Sequence, residues 1–504
     1  MNKIFSKKEI TKKINLLKKN NKKIVLCHGV FDLVHYGHIL YLQSAKKFGD
    51  FLIVSVTRDE FIKKGTGKPI FNLDQRMKYL SSLSLVDAVV ASTVASSEDV
   101  IKSVKPNFYV KGPDYKKVSD DKSKKIILEK KLVESFGGKI KFTDDISFSS
   151  SSLINSSNLL FNEEQKKFIS DIKKKFGYNY ILSEVSKFKK IKVLVLGELI
   201  FDNYIFGNIV GKSGKEPHLV FETGKSEYYV GGSGAICRHL QEFVRKVDYL
   251  SNFGNEPHLA KYLKINFSKN VSFKNLKPSS NFTSIIKLRY LDIKSNYKMF
   301  GAYSLPKKID QNYEIKYYNF LSKLIAKNDL IVAVDYGHGL IPENTMNKIS
   351  SKNKFISAGK QINSSSIISH NMLNHNKLNL ISINETELRY SEKNNKEKIE
   401  TLILNLYKRI KPKTIIVTRG KNGSILYSGS KFYYCPAFAV NPIDKIGAGD
   451  AMLSITSLCD YKGLHPSITL MLGSLAASNS VQSIGNKFNT SKSQLKNNLE
   501  YILK

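Results

Sequence analysis

The sequence predicts an α/β protein with two doubly wound domains, the second of which carries a small β lid. Its 504 residues suffice for about three to four units of roughly 150 residues each. Short apolar runs alternate with amphipathic stretches over residues 1–160 and again from Ile191, which favours parallel sheets covered by helices. Between Tyr204 and Tyr229 the apolar pattern is closer to period two, which predicts strands projecting from the main sheet. We therefore divide the chain into 1–160, a helical connector over 161–190, and 191–504.

The first domain contains five predicted strands separated by helices. The strands are expected at residues 23–27, 51–56, 88–91, 108–111 and 138–142. Helices are expected at 39–48, 72–83, 98–104 and 119–136. Asn72, followed by Gln75, has the pattern of a capping box. This alternation predicts a parallel sheet with helices on both faces.

A serine-rich run over 147–157 and a charged, helix-like stretch over 162–190 separate the two domains. The second domain begins with a predicted strand over 192–196, which ends at Gly197. Further buried strands are predicted at 330–334, 380–383 and 415–418. The sequence shows no repeat of the solenoid type.

Composition excludes several classes of protein. Hydrophobic residues make up 41% of the chain, which is typical of globular proteins. The four cysteines are scattered without a Cys-x-x-Cys pair, which argues against a zinc ribbon or a disulfide scaffold. No apolar run approaches the roughly 18 residues of a membrane helix, and residues 1–23 lack the apolar core of a signal peptide. We therefore expect a cytoplasmic protein without a membrane partner.

The formal net charge is +37, from 80 Lys and Arg against 43 Asp and Glu. Such a charge invites interpretation as a nucleic-acid-binding protein. The excess is mostly lysine and is spread along the whole chain, which indicates a compositional bias rather than a binding patch. We therefore do not expect nucleic acid to be the main partner, although a basic protein still attracts phosphorylated anions.

A pair of histidines follows the first predicted strand. His35 and His38 lie three residues apart at the start of a helix, so both side chains face one side of its first turn. There they can donate hydrogen bonds to a phosphate beside the positive end of the helix dipole. Gly29 and Gly37 allow the backbone to approach a ligand closely. The alternatives are two surface histidines near a turn, or a metal site.

With its Gly-Val-Phe-Asp lead-in, this segment resembles the HxGH nucleotidyltransferase superfamily over about residues 1–160. The resemblance implies transfer of a nucleoside monophosphate from ATP or CTP to a phosphate, with release of pyrophosphate. It implies that His35 and His38 stabilise charge on the triphosphate. The basic loop 64–69, the Gln-Arg-Met helix start at 75–77 and the Val-Lys-Gly-x-Asp-Tyr-like segment 110–115 also match. The implied nucleotide- or phosphate-binding residues in these segments are Gly29, Phe31, Lys64, Arg76 and Lys111.

A serine run stands where this superfamily has a Ser-Thr-Thr turn that caps a helix and binds phosphate. The resemblance implies that Ser150 and Ser151 bind phosphate, since hydroxyls at a helix N-terminus can do so. A flexible serine linker is the alternative. The arginine that some members carry after this turn is missing here.

A second constellation lies near the C-terminus, where Gly447, Ala448, Gly449 and Asp450 precede a helical pattern. Backbone N–H groups of such a turn form an anion hole. Asp450 on the first turn could take the proton from an attacking hydroxyl while the anion hole holds the transferring phosphoryl group. A plain glycine-rich turn with an aspartate favourable to the helix dipole is the alternative.

From about Ile191 onward the sequence resembles the ribokinase-like (PfkB) sugar kinases. The glycine-rich segment 230–234, the segment 384–387 and the segment 417–420 occur in the family's order. The resemblance implies that Asp450 is the catalytic base and that Gly447, Ala448 and Gly449 form the anion hole. It further implies binding of Mg²⁺ by Asn384 and Glu387, of ATP by Thr418 and Gly420, and of sugar by Asp202, Gly231 and Gly232.

Segments 197–204, 215–217, 287–289 and 335–339 resemble heptose-7-phosphate kinase domains. The whole chain therefore resembles the bifunctional ADP-heptose synthases with their two domains in reversed order. Three positions depart from the kinase pattern, namely Ala235, Ile446 and Ser357. We expect a homodimer that makes a nucleotide-activated sugar for surface polysaccharide or lipopolysaccharide. The alternative is a nucleotidyltransferase with a non-catalytic kinase-like domain that binds sugar or dimerises.

Overall fold

A computed structural model describes residues 3–62, 69–112, 125–143, 161–293, 295, 297–305, 310, 312–342, 344–352, 354–361, 377–439, 442–487 and 489–504. The chain divides into two compact units, Met1–Asn162 and Glu163–Lys504. The predicted positions Lys64, Ser150 and Ser151 lie outside the described residues. Each unit contains an α/β sheet of its own, so the predicted fold class is confirmed.

The first unit is built on a five-stranded parallel sheet in the order β3-β2-β1-β4-β5. Its strands are β1 Ile24–Gly29, β2 Phe51–Thr57, β3 Ala88–Ser92, β4 Phe108–Lys111 and β5 Lys139–Phe142. Its helices are Lys7–Lys19, Tyr36–Lys46, Leu73–Ser82, Glu98–Val104 and Lys125–Ser135. The predicted capping box between Asn72 and Gln75 is present at the start of the third helix.

Alternate side chains of β1 enter two hydrophobic cores. Val25 and Cys27 pack into one core, and Ile24 and Leu26 pack into the other. This is why four consecutive residues of the strand are buried. The strand order reverses beside β1, where ligands of such sheets bind beyond the carboxyl ends of the strands.

The second unit is built on a nine-stranded sheet in the order β10-β9-β6-β13-β14-β15-β16-β17-β18. Its strands are β6 Lys192–Gly197, β9 Lys246–Ser251, β10 Val271–Asn275, β13 Leu330–Asp335, β14 Phe355–Lys360, β15 Leu380–Asn384, β16 Thr414–Thr418, β17 Ser424–Ser428 and β18 Lys431–Cys435. The strands pair in parallel from β10 to β16, and β17 and β18 are antiparallel.

A second, four-stranded sheet in this unit is the predicted lid, in the order β12-β11-β7-β8. Its strands are β7 Leu199–Lys212, β8 Leu219–Gly232, β11 Ile285–Asp292 and β12 Lys298–Ser304. The period-two pattern between Tyr204 and Tyr229 corresponds to β7 and β8, which pair antiparallel.

The helices of the second unit are Glu163–Lys175, Tyr178–Ser186, Ser233–Leu240, Pro257–Asn266, Tyr313–Ile325, Thr345–Ser350, Glu385–Ser391, Ile399–Ile410, Ala448–Tyr461, Pro466–Ser480 and Lys492–Leu503. The first two form the helical stretch expected over 162–190, and they pack on the last helix. They are separated at Gly177, whose φ is 71°. No helix of the described chain is long and apolar enough to cross a membrane.

Candidate active sites

His35 and His38 of the first unit lie side by side in the segment that follows β1. His35 is the residue before the helix Tyr36–Lys46, and its carbonyl accepts a hydrogen bond from the His38 N–H at 2.9 Å. The two ring centroids are 4.1 Å apart. Burial lowers the pKa of His35, so its imidazole is neutral over more of the physiological pH range. A neutral imidazole still offers one N–H to a phosphate oxygen.

Three neighbouring residues shape the approach to these rings. Phe31 has a φ of 51°, and its ring centroid lies 5.3 Å from that of His38. A Cβ atom at Gly29 would lie 2.9 Å from the Phe31 ring, so glycine allows this close contact. His28 lies at hydrogen-bond distance from two hydroxyls of β2, with Nδ1 3.0 Å from Ser55 Oγ and Nε2 3.3 Å from Thr57 Oγ1.

Arg76, a predicted phosphate-binding residue, is buried and hydrogen-bonded within the first unit. Its side chain is only 1% exposed and donates to the carbonyls of Phe71 and Thr57, each at 2.9 Å. It also donates to the carbonyl of Val30 and to Asp59. The guanidinium therefore links three backbone segments, and most of its N–H groups already donate hydrogen bonds within the protein.

Lys111, at the end of β4, is buried beside Glu129. Its Nζ lies 3.1 Å from Glu129 Oε2. Ser97 and Tyr109 donate to the same carboxylate at 2.7 Å and 3.1 Å. Burial acts to raise the pKa of Glu129, but the Lys111 charge and the Ser97 hydroxyl lower it overall. Glu129 was not predicted as a site residue because it lies mid-helix, outside any motif.

The second unit places Asp450 on the first turn of the helix Ala448–Tyr461, directly after the glycine turn. Gly447 has a φ of 85°, and a Cβ atom there would lie 1.8 Å from Asn486 Oδ1. The Tyr336 hydroxyl donates to Asp450 Oδ1 at 2.8 Å. The pKa of Asp450 is raised to about 7, mainly by burial and also by the charges of Asp202 and Glu387, while the Tyr336 hydrogen bond acts to lower it.

Glu198 holds the loop that carries Tyr336. This fully buried carboxylate accepts the backbone N–H groups of Tyr336 at 2.8 Å and His338 at 3.2 Å. Burial and the neighbouring Asp335 raise the pKa of Glu198 to about 8. Both Glu198 and Tyr336 lie in segments that resemble heptose-7-phosphate kinases, but no role was predicted for either.

The predicted sugar-binding residues lie together at the base of the lid. Asp202 on β7 forms an ion pair with Arg289 on β11. A Cβ atom at Gly231 would lie 2.3 Å from Asp202 Oδ2, so glycine allows β8 to pass this carboxylate. Gly232 has a φ of 58° and turns the chain into the helix Ser233–Leu240.

The predicted Mg²⁺ and nucleotide residues lie at the ends of adjacent strands, since Asn384 of β15 pairs with Thr418 of β16. Asn384 and Glu387 form a capping box, in which Glu387 Oε2 accepts the Asn384 N–H at 3.0 Å. Gly420, with a φ of 56°, begins a short turn after β16. Within the described ranges no three His, Cys, Asp or Glu side chains could hold a metal together. Substrate phosphates and waters would therefore have to complete a Mg²⁺ site, as they commonly do.

Asp444 is a further residue that the sequence analysis did not assign. It accepts the Tyr204 hydroxyl at 2.8 Å, the Gly485 N–H at 2.9 Å and the Lys298 ammonium at 2.6 Å. It thereby joins the loop before Gly447 to strands β7 and β12 of the lid. Its place three residues before Gly447 in the quoted motif is the signal that could have identified it.

The three departures from the kinase pattern are all accommodated. Ala235 is buried in the helix Ser233–Leu240, and Ser357 is buried in β14. Ile446 packs against the lid residues Tyr204 and Leu291 within a small apolar cluster. The turn at Gly447 and the hydrogen bond from Tyr336 to Asp450 are therefore formed despite these replacements.

Two protein-family models match the chain. The cytidylyltransferase-like model matches residues 26–156. The model of the pfkB family carbohydrate kinases matches residues 190–493, which is more than half of the chain.

Curated relatives are similar to part of the chain. "Bifunctional protein HldE" of Alcanivorax borkumensis is 38% identical over 149 residues, which are 29% of this chain and 30% of the relative. "Bifunctional protein HldE" of Campylobacter jejuni subsp. jejuni is 45% identical over 116 residues, 23% of this chain and 24% of the relative. The matched region thus spans about a third or less of the length of these relatives.

Solved structures show the same fold as the second unit at low sequence identity. Phosphofructokinase-2 from Escherichia coli in complex with potassium has a TM-score of 0.50 and 14% identity, covering 63% of this chain and 100% of the solved chain. The same enzyme in complex with substrates and products has a TM-score of 0.50 and 14% identity, covering 62% and 100%.

Proposed function

The chain belongs to the pfkB family of carbohydrate kinases, and on that premise we propose that it is a bifunctional sugar kinase and nucleotidyltransferase. The second unit would phosphorylate a sugar or sugar phosphate with ATP. The first would join the product to a nucleotide taken from ATP or CTP. The observation that carries the kinase assignment is Asp450, which lies beside the glycine turn at a helix start with Tyr336 donating to one of its oxygens.

Asp450 acts as the general base in the proposed kinase reaction. Its carboxylate takes the proton of the acceptor hydroxyl while that oxygen forms a bond to the γ-phosphorus of ATP. The bond from the γ-phosphorus to the bridging oxygen breaks, and ADP leaves with the electron pair. N–H groups of the first helical turn at 448–450 stabilise the charge on the transferring group. Asn384 and Glu387 would hold Mg²⁺, which neutralises phosphate charge.

His35 and His38 stabilise charge in the proposed nucleotidyl transfer. An oxygen of the sugar phosphate forms a bond to the α-phosphorus of the nucleoside triphosphate, and the bond to the β-phosphate oxygen breaks. Pyrophosphate leaves with the negative charge, to which the two imidazoles donate hydrogen bonds. The adjacent placement of the two rings, 4.1 Å apart, supports a shared phosphate target. We propose Gly29, Phe31 and Lys111, together with Lys64, Ser150 and Ser151, as the surrounding nucleotide site.

We propose a heptose-like sugar as the activated product, for surface polysaccharide or lipopolysaccharide. The resemblance of segments 197–204 and 335–339 to heptose-7-phosphate kinases supports this choice. The partial likeness to bifunctional proteins supports the pairing of two activities in one chain. The four buried cysteines form no disulfide, which suits the cytoplasm as the proposed compartment.

We propose that the enzyme is a homodimer that associates through the lid. Val210, Leu219 and Phe300 are large apolar lid residues that are exposed to solvent. Large apolar side chains left exposed on one sheet favour association through that sheet. Light scattering on the purified chain should give twice the mass of 57.0 kDa, and a monomer at micromolar concentration would contradict the proposal.

The test of the function is an assay of the full chain with ATP or CTP and a panel of C6 and C7 sugar phosphates. ADP and pyrophosphate are measured separately, because they report the kinase and the transferase. Asp450→Asn keeps the side-chain size but cannot accept the hydroxyl proton. It should lower sugar-dependent ADP release by about 10²–10⁴ with little change in melting temperature.

Ala235, Ile446 and Ser357 favour a second candidate, in which the kinase-like unit only binds sugar or dimerises. Wild-type protein that releases pyrophosphate but no sugar-dependent ADP would support this candidate. An Asp450→Asn variant with wild-type ADP release would likewise remove the kinase assignment.

A further inference from the structure

Two arginines share the carboxylate of Glu385. Arg389 donates to Glu385 Oε1 through Nε at 3.0 Å and through Nη2 at 2.8 Å. Arg419 donates to Glu385 Oε2 through Nε at 3.0 Å. The side chains of both arginines are partly exposed, at 22% for Arg389 and 26% for Arg419. Glu385 thereby ties the loop after β16 to the helix Glu385–Ser391.

The two arginines differ in the donors that they have left. Arg389 also donates through Nη1 to the carbonyls of Asn395 at 3.3 Å and Glu397 at 2.9 Å, so each nitrogen of its guanidinium has a partner. Of the Arg419 guanidinium, only Nε donates to another residue in the part of the chain that the structure describes. The N–H groups on Nη1 and Nη2 of Arg419 therefore remain for a ligand.

Arg419 lies among the positions predicted to bind ATP. Asn384 ends β15 and Thr418 ends β16, and the two residues pair in register. Glu385 and Arg419 are the next residues of the two strands, at the carboxyl edge of the sheet where ligands of parallel sheets bind. Arg419 stands between Thr418 and Gly420 in the chain, but the sequence analysis assigned no role to it or to Glu385.

We propose that Arg419 binds phosphate oxygens of ATP through Nη1 and Nη2, and that Glu385 is a positioning residue that holds Nε. The planar guanidinium fork suits two oxygens of a phosphate, whereas its ion pair with Glu385 uses only the opposite edge. An ion pair that is open to solvent contributes little to stability, so a purely structural clamp is a weak reason for this arginine. The choice of ATP as the ligand rests on the proposed kinase function.

Titration calorimetry of the full chain with AMP-PNP, an ATP analogue with three phosphates, tests the contact. Arg419→Met should weaken binding by about 10-fold or more, because hydrogen bonds between charged groups are among the strongest in proteins. Adenosine has no phosphate, so its affinity should not change. The first unit is identical in these proteins, so a change in affinity belongs to the second unit. Equal AMP-PNP affinity in wild type and folded Arg419→Met overturns the proposal, as does an equal loss for adenosine.

Arg409→Met is the matched control for the loss of an arginine ion pair. Arg409 donates to Glu392 at 2.6 Å and to Ser391 at 3.1 Å, at the far end of the helix that begins at Glu385. This variant should bind AMP-PNP like wild type, and a loss equal to that of Arg419→Met overturns the proposal. Arg419→Lys provides the test if the methionine variant does not fold. It keeps the charge without the fork, so its AMP-PNP affinity should still fall.

A double-mutant cycle tests the positioning role of Glu385. Glu385→Gln should weaken AMP-PNP binding, because a neutral amide holds the guanidinium less firmly than a carboxylate. Combined with Arg419→Met, it should cause little further loss, since Glu385 acts through Arg419. Fully additive losses would overturn the positioning role of Glu385.

Kinase assays test the same contact during turnover. Arg419→Met should raise KM for ATP about 10-fold or more and leave KM for the acceptor unchanged, because the predicted sugar-binding residues lie at the lid. An unchanged KM for ATP overturns the proposal. A wild type that releases no sugar-dependent ADP contradicts the proposed kinase instead, and the AMP-PNP titration then still decides whether Arg419 binds phosphate.

Discussion

At the level of single residues, burial raises the pKa of Asp450 and the hydrogen bond from Tyr336 opposes that rise, so both influence the working pH of the proposed kinase. The base must be deprotonated, so kcat/KM should rise with pH through the Asp450 pKa of about 7. Tyr336→Phe removes a donor that stabilises the carboxylate, and the rising limb should move upward by about one pH unit. The measurement is the pH profile of sugar-dependent ADP release.

A simple loss of packing would lower the Tyr336→Phe rate equally at all pH values. An unshifted limb would therefore show that Tyr336 does not position the base. Glu198→Gln is the companion variant, because it disturbs the loop 336–338 without touching Asp450 directly.

Asp450, Asp202 and the pair His35 and His38 were assigned from the sequence because chemistry and motif coincide there, and their roles stay predictions. The sequence analysis did not assign Glu198, Tyr336 or Asp444, because their hydrogen-bond partners lie far away in the sequence. Tyr336, for example, reaches Asp450 from 114 positions away. The hydrogen bonds of Arg76 to backbone carbonyls were likewise not predictable, because no local sequence pattern indicates them.

At the level of elements, the turn before the helix Ala448–Tyr461 depends on one glycine more than on the other. Gly447 has a positive φ and no room for a Cβ atom beside Asn486, whereas a Cβ atom at Gly449 meets nothing within 4 Å. Gly447→Ala should lower the melting temperature of the second unit and its kinase activity together. Strain at such a position costs roughly 1–3 kcal/mol.

Gly449→Ala is the matched control and should keep the wild-type melting temperature. Any activity that it loses would then report contact with ATP phosphates rather than folding. Equal destabilisation by the two alanines would contradict the geometry of the turn.

Predicted elements agree with the structure where the apolar period is uninterrupted. The helix Glu98–Val104 and strand β4 have the predicted bounds. Strand β11 was missed because charged Lys287 and Arg289 alternate on one face with apolar Ile285 and Leu291, so that neither face of the strand is uniformly apolar. The charged residues of β11 thus prevented its prediction as a strand.

At the level of the whole molecule, the two proposed activities reside in units with separate sheets and separate cores. His38→Ala should therefore lower pyrophosphate release by about 10² or more, as expected for a lost charge-stabilising donor. ADP release by the same protein should stay near the wild-type rate. Loss of both activities in a folded variant would contradict the assignment of the two reactions to independent sites.

Labelling of the buried cysteines can measure the unfolding of each unit separately. Cys27 lies in the first unit, and Cys237, Cys435 and Cys459 lie in the second, all without disulfides. Burial raises the pKa of every one of these thiols, to about 12 for Cys27 and Cys435, so the folded chain offers almost no reactive thiolate. A thiol reagent added at increasing denaturant concentration should therefore label one cysteine when the first unit unfolds and three when the second unit unfolds. A single step of four would reveal that the units melt together, and labelling of the native protein would contradict their burial.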